Sequence, residues 1–398
     1  MSAFEKFNSL RVGALFMEQG TGKTRVAIEL IHSTDANYAF FLCPFSTKEN
    51  LEKEIRKWHL SIPYQIVGYE TISASDRIYL KLLDELKDKK LFIVADESIF
   101  IKNEETKRFN RVMRFAELSD YRLILNGTPI TKNEWDLYNQ MEFLSPKIIG
   151  MSRNQFLNTF FTKVQYKKKF ERPKEFYKLS QVNVGYLHKL IEPYIFRVSI
   201  NFKNKIEEKE VLVNASEETK KEYKKLKKRL LEQIIEESDF LDTLVFMQYK
   251  AFTDKKRCQE IARQLKGQVI VYCSFLEEVK ELASHLDCYV ITGDTNPKER
   301  ANILERFEND SKPLLLTYGV GSYGLNLQFC NRIAFASITF SYGKMDQAKA
   351  RIKRMGQEKD IEYTYFTSDL GIYELIELNI LNKENLSKIM VDKIKEVI

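Results

Sequence analysis

Short, uninterrupted apolar runs that alternate with helical stretches are the feature that most restricts how this chain can fold. In its first third, "GALFM", "YAFFLC", "LFIVA" and "RLIL" are separated by segments such as "TRVAIELIH" and "TKENLEKEIRKW", whose apolar residues recur at helical spacing. A run that is apolar at every position, rather than at every second one, suits a strand covered on both faces. Parallel strands need a crossover between them, and a helix supplies it. The alternation therefore predicts a parallel sheet between two layers of helices. After Gly267 the pattern returns. "QVIVYCS", "CYVITG", "KPLLLTYG", "NRIAFAS" and "DIEYTYF" read as strands, with "LEEVKELASHL" and "PKERANILERFEN" as helices among them.

Two such series in 398 residues point to two α/β domains, since one core rarely serves a chain of this length. The expected division is residues 1–205 and 206–398. The first carries a mostly helical insertion at about 145–200, where "FLNTFFTKVQYKKKFERPKEFYK" is dense in aromatic and basic residues. The second opens with the strand "EEKEVLVNAS", continues with a helical part at about 215–265 and ends in a helical tail. No run of 18 apolar residues predicts a membrane-spanning helix. The early "VGALFM" is too short for a secretory signal, so no targeting peptide is expected. Five cysteines without a CxxC pair suggest a reduced protein of the cytosol, with the nucleus left open. The four histidines are scattered, and no zinc site is expected. A net charge of +7 is compatible with a polyanionic partner without requiring one.

Three constellations carry chemistry. In "FMEQGTGKT", Gly20 and Gly22 on either side of Thr21 let the backbone turn tightly and present N–H groups to a phosphate. Lys23 adds a cation, and Thr24 can place a hydroxyl on Mg²⁺. Met17 holds the place where such loops usually begin with glycine. Asp96 and Glu97 end the run "LFIVA", where one carboxylate suits a metal shell and the other an attacking water. A strand-end Asp–Glu pair is often merely solvated; the phosphate loop upstream gives it meaning. In "DQAKARIKRMGQ", Gln347, Arg351 and Arg354 fall at i, i+4 and i+7, one face if the segment is helical. That face is either a source of arginine for a γ-phosphate or a solvated basic surface. The basic runs "KVQYKKKFERPK" and "KKEYKKLKKR" divide in the same way between a duplex-tracking surface and solvated helix faces. The interleaved Phe160, Phe161, Tyr166 and Phe170 read as local core rather than a base-stacking platform.

In order, these pieces resemble the motor motifs of superfamily-two helicases, and more narrowly the Swi/Snf-type DNA translocases. "EQGTGKT" resembles the phosphate loop, "CPFSTKENLEKEIRKW" the first DNA-contact motif, and "VADESIFIKN" the Asp–Glu box with its following "IKN". "RLILNGTPITKNEWDLYNQMEFLSP" resembles the third motif and "PYIFRVS" the segment leading to the second lobe. "VITGDTNPKERANILERF", "YGLNLQFCNRI" and "QAKARIKRMGQ" resemble the second-lobe series. The resemblance runs from about residue 13 to residue 366. Some positions depart from it. Ser98-Ile99 stands where alanine and histidine are usual, and Asn126 replaces a threonine. No adenine-contacting glutamine segment precedes the loop, and "ASITFSYGKMD" replaces a tryptophan-containing segment.

The resemblance implies two tandem RecA-like lobes, parallel sheets flanked by helices, with helical insertions. It implies ATP and Mg²⁺ held by Gly20, Thr21, Gly22, Lys23, Thr24 and Asp96, with Thr24 and Asp96 on the metal. Glu97 would handle the water. Arg354, with Arg351, would reach the triphosphate from the second lobe, and Gln347 would sense its end. Ser46, Thr47, Lys132, Asn133, Thr292, Gly293 and Thr317 would face a nucleic-acid backbone, most naturally double-stranded or forked DNA read without sequence preference. Replication or recombination proteins are the implied protein partners, and no membrane is. The compact layout suggests a bare motor, as in a virus or mobile element. A strand-separating helicase is the near alternative; a nucleotide-gated DNA clamp or partner-dependent subunit is the distant one.

Overall fold

Neighbouring side chains of strand β2 (Tyr38–Cys43) enter different cores. Phe40 and Leu42 join one cluster, while Ala39, Phe41 and Cys43 join another, and all five are fully buried. Since successive strand residues point to opposite faces, the sheet is covered on both sides. The computed structural model describes residues 2–382 apart from 19, 128, 130–134, 167–173, 181, 199–201, 203, 236–240, 322–324, 326 and 355. The chain divides into the units Met1–Ile200 and Asn201–Ile398.

In the first unit, β1 (Val12–Met17), β2, β3 (Tyr64–Gly68), β4 (Leu91–Asp96), β5 (Tyr121–Asn126) and β8 (Ile195–Val198) form one sheet in the order β3-β2-β4-β5-β1-β8. Every pairing in it is parallel. The helices that return the chain are built as their sequences suggest. In Lys48–Lys57, Leu51 and Ile55 lie one turn apart and are buried. Thr106 caps Lys107–Glu117 by accepting from the Phe109 amide at 3.2 Å.

The segment expected to be a mostly helical insertion is different. Helices Arg153–Phe160 and Val184–Ile191 are present, but β6 (Phe161–Tyr166) and β7 (Lys174–Leu179) form an antiparallel hairpin between them. Both strands are dense in Phe, Tyr, Val and Thr, which favour extended backbone, and their lysines obscured that preference. The strands β3 and β8 also escaped sequence reading, because each offers only a few apolar residues.

The second unit repeats the plan. Strands β9 (Ile206–Leu212), β10 (Ile270–Cys273), β11 (Tyr289–Ile291), β12 (Leu314–Thr317), β13 (Arg332–Phe335) and β14 (Ile361–Thr367) pair in parallel in the order β11-β12-β10-β13-β14-β9. Ile270 and Tyr272 face one core, Val271 and Cys273 the other. The edge strand β9 is mostly exposed and carries Glu207, Glu208, Lys209 and Glu210, charges that discourage further pairing. Two parallel six-stranded sheets flanked by helices are the plan that the resemblance to tandem RecA-like lobes implies. Among the described residues no helix is long and apolar enough to cross a membrane.

A buried ion pair fastens the strand ends of the second unit. Arg257 and Glu278 are both fully buried, with Nη1 and Oε1 3.9 Å apart. Arg257 Nη2 donates to the carbonyls of Ala336 and Phe366, just past β13 and within β14. Glu278 Oε2 accepts from the Ser274 amide at 2.9 Å and the Ser337 hydroxyl at 2.8 Å. Burial pushes the Glu278 carboxyl up to about 7, against the pull of Arg257 and its hydrogen bonds. Removing one partner strands the other charge. Arg257→Met should therefore cost about 3–5 kcal/mol, read by urea unfolding of the second unit. The sign of the pH effect follows from the raised folded value. The Glu278 contribution is complete below its ordinary 4.5 and is lost as pH rises towards 7. Glu278→Gln should flatten that part of the stability–pH curve.

Candidate active site

Strand β1 runs into a turn that glycine alone accommodates easily. Gly20 and Gly22 have φ of 81° and 85°. A Cβ on Gly22 would meet nothing within 4 Å, so the left-handed backbone, not crowding, calls for glycine there. Gly22 is also the N-cap of helix Lys23–His32 and makes no side-chain cap bond. The first-turn amides and the positive end of the helix dipole are thus available to an anion. Lys23 Nζ donates to the carbonyls of Met17 at 2.8 Å and Glu18 at 3.2 Å, which folds its ammonium over the loop. Thr21 Oγ1 donates to the Glu18 carbonyl at 2.6 Å. Thr24, second in the helix, is partly buried.

Asp96 is the last residue of β4 and Glu97 follows at φ 52°, ψ 56°, a left-handed position unusual for a side chain of that size. Strands β1 and β4 lie on either side of β5, so the glycine turn and the Asp–Glu pair leave the same edge one strand apart. Their charges feel one another. Loss of water at the strand end, and then the Glu97 carboxylate, push the Asp96 carboxyl up to about 7, while the Lys23 ammonium and the Glu97 amide pull it down. A carboxyl held in that way ionises most readily against a cation. An uncapped helix start, an ammonium, a hydroxyl and two carboxylates fit a magnesium-bound triphosphate.

The carboxylate turn is fastened by residues that sequence reading did not assign to the site. Tyr69, fully buried, donates its hydroxyl to the Asp96 carbonyl at 2.9 Å and stacks on Phe100 at 5.6 Å. Ser98 Oγ donates to Gln140 Oε1 at 2.6 Å and accepts from Asn126 Nδ2 at 3.3 Å. Ser98 and Asn126 drew notice only as departures from the family pattern. Tyr69 and Gln140 lie 27 and 42 residues from their partners, so no local spacing announces them.

Ser46 and Thr47 sit in a single 3₁₀ turn, Phe45–Thr47, just after β2 on the same edge. Thr47 Oγ1 is turned back to the Pro44 carbonyl at 2.9 Å. Lys132 and Asn133 lie outside the described residues. In the second unit, Ile291 pairs with Leu316, which brings Thr292 and Gly293 beside Thr317 at the ends of β11 and β12. The Thr292 amide donates to Thr295 Oγ1 at 2.9 Å, and Gly293 is exposed.

The expected helical face of Gln347, Arg351 and Arg354 does not form. Helix Tyr342–Lys349 holds Gln347 and stops before either arginine. The Arg351 amide reaches the Ala348 carbonyl at 3.1 Å, tightening the chain out of the helix. Arg351 turns inward, 4% exposed, with Nη1 3.2 Å from the Leu325 carbonyl. It is therefore not part of a solvated surface. Arg354 Nε donates to the Ala350 carbonyl at 2.9 Å. Gln347 Oε1 is buried without a hydrogen-bond partner among the described residues. Of the basic run in helix Glu217–Ile235, Lys221, Lys224, Lys225 and Lys228 are exposed. Phe160 and Phe161 are buried in the core of the first unit; the side chains of Tyr166 and Phe170 lie outside the described residues.

Comparison with known proteins matches the SNF2-related domain to residues 62–287, more than half of the chain. The chain belongs to the SNF2-related family. The helicase conserved C-terminal domain also matches, over residues 253–356. An uncharacterized ATP-dependent helicase of Mycoplasma pneumoniae is 23% identical over 96% of this chain and 40% of its own length. The chromatin structure-remodeling complex subunit snf21 of Schizosaccharomyces pombe is 22% identical over 93% of this chain and 37% of its own. The chain thus spans about two fifths of the length of these curated relatives. Among solved structures, the Sulfolobus solfataricus SWI2/SNF2 ATPase core in complex with dsDNA aligns over 97% of this chain and 90% of its own, at 23% identity and a TM-score of 0.42.

Within this SNF2-related chain Gly22 and Gly293 should respond differently to a methyl group. Both have open space around a Cβ, but only Gly22 has positive φ. Gly22→Ala should lose about 1–2 kcal/mol of stability and Gly293→Ala almost none, read as thermal midpoints of the purified variants.

Proposed function

We propose that this SNF2-related chain is an ATP-hydrolysing motor that moves along duplex DNA without reading its sequence. The observation that carries the reading is the single sheet edge in the first unit, where the glycine turn and the Asp96–Glu97 pair leave strands one apart and Lys23, at the start of the helix after the glycine turn, acts electrostatically on Asp96. Family membership supports it, as does the likeness to relatives named ATP-dependent helicases.

In this reading the amides of Gly20, Thr21 and Gly22 and the Lys23 ammonium bind the phosphates. Magnesium, with Thr24 and Asp96 as its protein ligands, would neutralise triphosphate charge. Glu97 orients the water from the left-handed position that follows β4. Arg354 supplies positive charge to the γ-phosphate during turnover, Arg351 joins it by leaving the Leu325 carbonyl it holds in this structure, and Gln347 reports the phosphate's presence. Ser46, Thr47, Lys132, Asn133, Thr292, Gly293 and Thr317 offer hydroxyls, amides and an ammonium. Such groups suit phosphate oxygens and leave base edges unread. Hydrolysis then alternates the grip on the backbone between the two units, and the alternation becomes movement.

The test is ATP hydrolysis measured with duplex DNA, single strands, forks and RNA. Duplex should stimulate most, and the stimulation should fall steeply with salt as counterions return to the phosphates. Glu97→Gln should keep ATP binding and lower kcat about a thousandfold. Arg354→Ala should do likewise with the fold intact. Displacement of a third strand from a triplex, without unwinding of a fork, is the expected movement assay. Background turnover with every nucleic acid would replace the motor with a nucleotide-gated clamp or a partner-dependent subunit.

A further inference from the structure

Glu97 is one of two described non-glycine residues with positive φ, the other being His59. Such a backbone is strained and persists where its surroundings over-determine it. Immediately after it, Ser98 enters a polar cluster in an apolar interior. Ser98, Asn126 and Gln140 are 0%, 1% and 0% exposed. Ile101, Met141 and Phe143, close to Ser98 and Gln140 in the chain, are fully buried in the same unit's core. Ser98 Oγ is the node. It donates to Gln140 Oε1 at 2.6 Å and accepts from Asn126 Nδ2 at 3.3 Å. Gln140 Nε2 continues the chain to the carbonyls of Pro129 at 2.8 Å and Asp136 at 2.6 Å.

Three elements meet in these bonds: the turn after β4, the turn after β5, and helix Trp135–Leu144. Burying three polar side chains is not what stability alone would select. An apolar set of similar volume can fill such a site at little cost, whereas hydrogen bonds fix direction and register. What they fix here is the residue beside Glu97, relative to the exit of β5. On the opposite side, Tyr69 holds the Asp96 carbonyl at 2.9 Å. The carboxylate turn is thus pinned at Asp96 by Tyr69 and at Ser98 by Gln140 and Asn126, and through Ser98 it is also joined to the end of β5.

We propose that Ser98, Asn126 and Gln140 are positioning residues for Glu97, forming a buried relay that sets the direction of its carboxylate and ties it to the turn after β5. The relay acts on turnover rather than on nucleotide binding, because none of its members belongs to the glycine turn. This inference rests on Glu97 acting on the water as proposed above.

The experiment uses the full chain and the variants Ser98→Ala, Gln140→Leu and the double variant. ATP turnover with and without duplex DNA, KM for ATP and thermal midpoint are measured for each. Each single variant should lower the DNA-stimulated kcat about tenfold or more with KM changed less than about twofold. The double variant should be about as slow as the slower single one, because both changes break one connection. Its thermal midpoint should exceed that of Ser98→Ala, since the buried amide left without its hydroxyl is gone. Recovery of kcat together with the midpoint would show a purely structural cluster and overturn the inference. Wild-type kcat in the single variants would overturn it as well. If the wild-type chain itself shows no nucleic-acid-stimulated turnover, the proposed function fails first and the relay with it; variants that fail to differ from an active wild type sink the relay alone.

Discussion

Two parallel sheets, each buried on both faces, impose the constraint on which the rest of the molecule depends. In β2 and β10, successive residues feed opposite cores, so no position within either strand can carry a polar side chain without burying it. Backbone groups are consumed by the parallel ladders. Polar chemistry is left only the places where strands end. The glycine turn after β1, the carboxylates after β4, the 3₁₀ turn after β2 and the threonines after β11 and within the last turn of β12 all lie at such ends. The arrangement follows from burial before any ligand is considered.

Concentrating polar groups at strand ends creates a second problem, which is to hold them still. Loops at an edge have water on one side and few apolar contacts. In both units the solution is a buried polar fastening just beneath the edge. In the first, Tyr69 and the Ser98–Gln140 bond clasp the Asp96–Glu97 turn. In the second, Arg257 and Glu278 tie the ends of β10, β13 and β14 to two helices. Both fastenings are costly to desolvate; the first is compensated by hydrogen bonds on Ser98, Asn126 and Gln140, whereas in the second Arg257 Nε and Nη1 and Glu278 Oε1 are buried without a hydrogen-bond partner among the described residues and rely on the charge pair itself. Neither would arise from hydrophobic patterning, and each fixes a direction that apolar packing leaves loose.

Much of the architecture was legible in the chain. Fully apolar runs such as "YAFFLC" and "QVIVYC" marked doubly covered strands, and the helical spacing of "ENLEKEI" marked a crossover. Weak strands were not legible. β3 and β8 have too few apolar residues to show a period, and the lysines around β6 and β7 masked a hairpin within a segment read as helical. The glycine turn and the Asp–Glu pair could be placed at strand ends because each is contiguous in sequence. The Gln347–Arg351–Arg354 spacing suggested a helical face, yet the helix stops at Lys349. There the inward bond of Arg351 to the Leu325 carbonyl, 26 residues away, competes with helical continuation, and local spacing cannot register it.

By itself, then, the sequence determined the alternation of strand and helix, the two-unit α/β plan, and the identity of the residues that can cradle phosphate or bind a metal. These are local properties, written in the period of apolar residues and in short contiguous motifs. Only the tertiary structure decided the order of the strands, which sets β1 and β4 one strand apart, and the partners that hold Asp96 and Glu97 in place. Those outcomes depend on pairings across tens of residues, where the free energy of burial and hydrogen bonding is settled by what the whole fold brings into contact.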